Sequence, residues 1–580
     1  MTTTPAAFVP AGLDATRWDS LEPLYAALLD RPVESLRDLE RWLVDRSELD
    51  ATASEAEANL YITMTCNTED AGAAQAYTTY IQTVPPMLKP RAFELDKRQT
   101  VLAARFPLDT ARYAVLSRDV AAEVELFREE NVPIQTELEL LSQRYQTIVG
   151  AMTVRFQDQE RTLPQMGVFQ ESTDRAVREA AWRTVADRRL QDRDAIDALF
   201  DEMIALRHRM ARNAGFDSFI VYAFRARRRF DYSPRDCEAF HRACEAFVVP
   251  FARRRQGARR DALGVDPLRP WDLAVDTRGR PPLRPFSGGV DLVARARAVL
   301  HATDPRLEAM FGTLGDGSNT RGAATGASLD LDSRKGKAPG GYQYMRDRSR
   351  RPFIFMNAAG LHRDVETMVH EAGHAFHSML CADEPLLHYR HSPIEFAEVA
   401  SMSMELLSMA HWGAPEAFYP NPEDLARAQR QHLESSLSLL PWIATIDAFQ
   451  HWIYLHPTHS REQRLDAWVE LDERFGPAVS WDSLEDHRQW VWHRQPHLFA
   501  HPLYYIEYGI AQLGALQLWL VSKEQGPAAA IDAYLRALRL GGSKPLPELF
   551  AAAGLRFDFG PETIARLVDR VEIELDKLPE

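Results

Sequence analysis

Four cysteines, Cys66, Cys237, Cys244 and Cys381, are few for a chain of 580 residues. They make neither a disulfide framework nor a cysteine-rich zinc module, so a reducing cytosol is the default setting. Long hydrophobic runs are missing too. The nearest, Leu433 to Leu455, is broken by Glu434, Asp447 and His451, short of the roughly 18 apolar residues that would span a bilayer, so no membrane partner is expected. The opening residues lack a basic segment followed by an apolar one, and no export leader is expected. Positive charge is in deficit: 68 Lys and Arg stand against 83 Asp and Glu, a net charge of −15. That is the wrong sign for a nucleic-acid binder, and the short basic clusters Arg225–Arg229 and Arg253–Arg260 read as solvated helix faces.

What is present is ordinary globular material, 45% hydrophobic and 26% charged, enough for a large core. Apolar residues recur at three- and four-residue spacing through Val120–Met152, Asp174–Asn213, Arg235–Arg255 and Ala426–Tyr454, which predicts helices. Alternating, strand-like runs are confined mainly to Met152–Gln157 and Ser328–Asn357. The fold is therefore expected to be mostly α with one small sheet. Pro267–Gly289 and Gly312–Gly326 read as loops. A division is expected near residue 190, with 1–190 as an N-terminal helical region and 191–580 as a second domain carrying the chemistry.

That chemistry is signalled by His370-Glu371-Ala372-Gly373-His374, inside a segment with helical periodicity. Asp364 is a candidate N-cap, and Pro385 marks where the helix has ended. At about 100° per residue, positions i and i+4 differ by roughly 40°, so both imidazoles leave one face a turn apart. They can then reach one Zn²⁺, with Glu371 placed beside the metal without ligating it. Gly373 costs about 1 kcal/mol relative to Ala inside a helix, so it needs a reason such as the close approach of another backbone or of substrate. His377 lies on the same face, but three imidazoles on successive turns cannot converge on one ion. It is left out of the ligand set.

A catalytic zinc site needs a third protein ligand and keeps one position for water. A second helix is expected after Pro393, carrying Glu395, Glu398 and Glu405. The small residues after Glu398 would let this helix lie close to the first. Glu398 and Glu405, seven apart, share a face, so one can bind metal while the other receives a ligand imidazole's hydrogen bond. Spacing alone does not rank Glu395 against Glu398.

These residues resemble the thimet oligopeptidase and oligoendopeptidase F family of zinc metallopeptidases. HEAGHAFH is similar to its HExGHxxH, and Phe396–Leu407 to its third-ligand helix. Arg334–Tyr344 with Arg351–Asn357 resembles the glycine loop and edge strand that run beside the substrate, and His497–Trp519 the C-terminal His/Tyr segment. Glu171–Trp182 and Ala211–Phe224 are similar more diffusely. The resemblance covers roughly residues 150–580. It implies a single Zn²⁺ held by His370, His374 and Glu398, with Glu371 as general base and Glu405 behind a ligand. It also implies an elongated, zincin-like, mostly α fold with a deep substrate channel and the zinc at its floor. Two histidines, His497 and His501, precede the tyrosines, and the family has a single substrate-facing one; His497 is taken as the candidate.

The expected reaction is hydrolysis of internal bonds in short, unstructured peptides. Tyr505 and Tyr508, three apart on an apparent helix, are candidate donors to the oxyanion. An edge strand can bind an extended peptide through its backbone, which gives broad side-chain specificity. A metallocarboxypeptidase using the same ligands is the alternative; it would need a cationic clamp for the substrate's terminal carboxylate. Oligomeric state leaves no mark on the sequence.

Overall fold

A computed structural model describes residues 7–318, 327–334, 337–338 and 340–579. Part of the Gly312–Gly326 loop, and Lys335, Gly336 and Pro339 of the glycine segment, lie outside the described residues.

The helical expectation holds along most of the chain. Six helices, Trp18–Asp30, Leu36–Cys66, Ala71–Thr83, Pro85–Arg105, Thr110–Leu126 and Asn131–Gly150, make up the N-terminal part. The predicted Asp174–Asn213 segment is two helices, Arg175–Gln191 and Arg193–Asn213, and the Arg235–Arg255 segment is interrupted by a π-turn at Cys244–Val248. No helix among the described residues is long and apolar enough to cross a membrane.

Among the described residues the strands form two small sheets rather than one. β1 (Thr153–Phe156) and β2 (Gln159–Thr162) make an isolated antiparallel hairpin. β3 (Leu329–Asp332), β4 (Tyr342–Arg346) and β5 (Arg351–Ala358) make the other, in the order β3–β5–β4. β5 is central and apolar, parallel to β3 and antiparallel to β4. This leaves one side of β4 unpaired within the sheet.

Buried apolar side chains divide into two main clusters. One runs from Val9 to Val120 and takes in Trp42, with Leu386 and Tyr389 contributed from far along the chain. The other begins at Leu126 and continues to Leu575. The change of core thus falls between Val120 and Leu126, ahead of the division expected near residue 190. A small third cluster, Ile62, Cys66, Phe353 and Phe355, joins the long helix Leu36–Cys66 to the sheet. Through it, and through the Thr65–Tyr342 hydroxyl pair at 2.6 Å, the N-terminal helices are anchored beside β4.

Candidate metal centre and active site

The helix carrying the HEAGH motif runs from His362 to Leu380 and follows directly from β5. Leu361, not Asp364, occupies the N-cap position. Asp364 sits in the first turn and reaches back, accepting from the backbone N–H groups of Ala359 and Leu361 at 2.8 and 2.9 Å. The acid satisfies donors at and just before the helix start, from three residues inside the N-cap.

The second helix, Ile394–Ser408, starts after Pro393. It crosses the first at Gly373. A Cβ there would lie 2.6 Å from the carbonyl oxygen of Ala400 and 2.7 Å from the Cα of Ser401. Close backbone approach is therefore the reason for this glycine. It brings Glu398 level with the two histidines.

The resulting geometry is convergent. Glu398 Oε2 lies 3.5 Å from His370 Nε2 and 3.6 Å from His374 Nε2. Tetrahedral ligands on bonds of 2.0–2.2 Å stand about 3.3–3.6 Å apart, so these atoms have the spacing of a zinc shell. Two imidazoles and a carboxylate are also a catalytic-zinc donor set, and the residues fit the ion. Glu395 points elsewhere, accepting from the Tyr232 hydroxyl at 2.7 Å. His377, one turn on from His374, is buried and lines the same cavity, with Nε2 unpartnered and outside the three converging donors.

Behind the donors, His370 Nδ1 is 2.6 Å from Glu405 Oε1, which turns Nε2 towards the site. Burial works against charge on His370, but the Glu405 hydrogen bond and the charges of Glu405 and Glu398 outweigh it and raise its pKa to about 10. His374, buried without such a partner, is lowered to about 4. Beyond Glu405 stands His432, whose Nδ1 is 2.8 Å from Glu366 Oε1.

Glu371 is buried, and its Oε2 has no hydrogen-bond partner. Burial, with the nearby charges of Glu398 and Glu405, lifts its pKa to about 7 against the opposing pull of His370. A carboxylate poised there can both take and return a proton near neutral pH. The backbone N–H of Gln343 in β4 lies against it, so the edge strand and the acid meet in one place.

These groups line a cavity of about 430 Å³ together with Gly341, Tyr342, Gln343, Ser378, Arg390 and Tyr508. A larger cavity of about 730 Å³ adjoins it, reaching the N-terminal helices at Arg46, Asp96 and Asp119. Both are lined by His391, Ser392 and Ile394, so the two cavities share a wall.

The C-terminal segment is arranged differently from a continuous helix. The helix begins at Ile506, with Tyr505 as N-cap residue and Tyr504 before it. Tyr508 lines the cleft and feels the charge of Glu398, and its hydroxyl pairs with that of Tyr504. Tyr505 instead turns its hydroxyl to Trp442 and Gln495. Tyr504, which the three-residue spacing passed over, is the second phenol near Glu398.

His497 packs edge-on against Tyr508, with ring centroids 5.7 Å apart, and feels Glu398. His501 packs on Tyr504 and faces Arg227. The tautomer of His497 follows from its neighbours. Trp442 Nε1–H can only donate, and it does so to Gln495 Oε1 at 3.1 Å. The Gln495 amide nitrogen therefore faces His497 Nδ1, at 2.6 Å, and donates to it. The ring proton is left on Nε2. Burial and the neighbouring His501 lower His497 to about 4, so it is a neutral donor at pH 7.

The likeness to known proteins extends over most of the chain. The sequence profile of peptidase family M3 matches residues 168–287 and 289–567. An oligoendopeptidase F homolog from Borreliella burgdorferi is 28% identical over 210 residues, 34% of this chain and 34% of that protein. The chain thus matches about a third of the length of that curated relative. An X-ray structure assigned as an oligoendopeptidase F superposes with a TM-score of 0.87 at 26% identity, covering 96% of each chain. PZ peptidase A with inhibitor also gives 0.87, at 25% identity, over 98% of this chain and 99% of that one. With the profile spanning more than half of the sequence and the fold shared end to end, the chain belongs to peptidase family M3.

Proposed function

We propose that the protein is a zinc-dependent oligoendopeptidase. It hydrolyses internal bonds of short, unstructured peptides, with one zinc ion held by His370, His374 and Glu398. The observation that carries this reading is the meeting of three donor atoms at ligand spacing beside a buried, unpartnered Glu371 oxygen.

Zinc, when bound, supplies Lewis acidity towards the scissile carbonyl and the attacking water. The remaining work falls to the chain. An extended peptide adds to the open edge of β4 through backbone hydrogen bonds, which sets its direction and leaves side chains largely unread. Glu371 accepts the proton of the attacking water and returns it to the leaving amine. Tyr508 donates to the oxygen on which negative charge develops, and His497 can donate beside it through Nε2–H. Glu405 holds His370 in orientation throughout.

Two features support an endopeptidase over a carboxypeptidase. The guanidinium lining the metal cleft, Arg390, is already engaged by Glu48 and by the carbonyls of Asp347, Glu384 and Pro385. It is not offered to a substrate carboxylate. A second cavity, sharing His391, Ser392 and Ile394 with the metal cleft, gives further room for a peptide beyond the reacting bond. Four buried, unpaired cysteines suit the reducing cytosol included in this reading.

Removal of metal with 1,10-phenanthroline should abolish cleavage of an internally quenched peptide, and added Zn²⁺ should restore it. Mass spectrometry should find the cut at an internal bond and leave a native globular protein intact. Full activity in metal-free protein, or stepwise trimming from the C-terminus, would contradict the proposal.

A further inference from the structure

A second cluster with the composition of a metal site lies apart from the cleft. Cys237, Asp447 and His451 are all buried, and one ligand atom from each lies within 4.8 Å of the others. They come from two neighbouring helices, Pro234–Ala243 and Pro422–Leu455. Each helix presents a pair at i and i+4: Cys237 with His241, and Asp447 with His451. This is the same turn-apart spacing by which His370 and His374 face one point.

The hydrogen bonding of the cluster is incomplete. His241 Nε2 donates to Asp447 Oδ2 at 2.8 Å. Asp447 Oδ1 has no partner although the residue is fully buried, and His451 Nε2 has none either. His451 Nε2 stands 3.5 Å from Asp447 Oδ2, long for a hydrogen bond but equal to the separation of ligands around a tetrahedral ion. Buried polar atoms without partners are rare, and two of them on residues of one cluster point to a missing occupant.

We propose that Cys237, Asp447 and His451 bind a second, structural divalent metal ion of the zinc class, with His241 holding the Asp447 carboxylate in place. A thiolate, an imidazole and a carboxylate suit Zn²⁺ and its spectroscopic substitute Co²⁺. Uptake releases the thiol proton of Cys237, which burial otherwise retains. The local charge accommodates the ion. Arg229 is paired with Glu507 at 2.6 Å, Arg227 stands 3.6 Å from the same carboxylate, and Glu395 lies close by. Together with Asp447 these groups leave one formal negative charge, and a dication with its thiolate brings one positive charge. The ion would join the two helices. Cys237, Asp447 and His451 line neither of the two cavities described above, so the site is not a second catalytic centre.

The test uses cobalt and the full-length chain. Stripped protein reloaded with Co²⁺ should show thiolate-to-cobalt charge-transfer absorption in the near ultraviolet. The HEAGH centre has only nitrogen and oxygen donors and cannot produce it. Cys237→Ser should lose that absorption and about one equivalent of metal per chain while keeping the metal of the cleft. Because Cys237→Ser can fail to fold, the complementary variant carries Cys66→Ser, Cys244→Ser and Cys381→Ser together and should retain the absorption in full. A double variant with His374→Ala and Glu398→Ala should keep the absorption with one equivalent of metal, which separates this proposal from the assignment of the catalytic zinc. Absence of the absorption in cobalt-loaded parent protein would overturn the proposal. So would its persistence in Cys237→Ser, or its loss from the triple variant.

Discussion

The HEAGH centre and the Cys237–Asp447–His451 cluster are built by the same device and differ in everything around it. Each pairs residues at i and i+4 on one helix with donors from a second helix. In each, a histidine Nε2 stands 3.5 Å from a carboxylate oxygen. One opens onto a cavity of about 430 Å³ that also contains Glu371, Tyr508 and the edge of β4. The other lines neither that cavity nor the larger one beside it, with Asp447 and Cys237 fully buried. Donor geometry alone makes a place for a metal. A reactive centre also needs an open side, a base with a free oxygen, and donors where charge develops.

Variants can break this comparison at several points. The largest effect is expected for His374→Ala, which should lose the metal of the cleft and all measurable turnover while the thiolate–cobalt absorption stays unchanged. Loss of both would mean that the two sites are not independent. Next comes Tyr508→Phe, which deletes one donor and keeps the ring. It should lower kcat by about 10²–10³ with little change in KM or melting temperature. Native kcat in a stable variant would remove Tyr508 from the site. Glu405→Gln should weaken zinc affinity by about 10–100-fold, measured by competition with a chelator, because His370 loses its orienting partner. The smallest effect on chemistry and the clearest on packing is expected from Gly373→Ala. Its Cβ would meet the Ala400 carbonyl oxygen at 2.6 Å, so denaturant unfolding should show a loss of about 1–3 kcal/mol.

The motif and its helix were legible in the sequence because HEAGH states its own geometry: spacing sets the face, and the face sets the convergence. The start of the second helix after Pro393 was legible for a similar reason, since proline is favoured at a helix start. Other features depend on what packs against what. Asp364 reads as an N-cap from local pattern, yet it stands three residues inside the helix start and accepts from N–H groups that precede it, those of Ala359 and Leu361. Tyr505 was grouped with Tyr508 on the assumption of a continuous helix. The helix starts one residue later, and Trp442 and Gln495 draw the Tyr505 hydroxyl away. Trp442 lies more than fifty residues from Gln495 in sequence, so the chain that fixes the His497 tautomer exists only in the fold. The change of core near residue 120 was equally hidden, because helical periodicity continues unbroken across it.

The most direct measurement is turnover and metal content in the same sample of Glu371→Gln. Glutamine keeps the shape of the side chain and the three proposed ligands but cannot accept a proton. Zinc content should stay at the parent value while kcat falls by about 10²–10⁴, the usual contribution of a positioned general base. A variant that keeps its zinc and cleaves peptide at the parent rate would contradict the account, as would one whose activity is lost only because its zinc is lost.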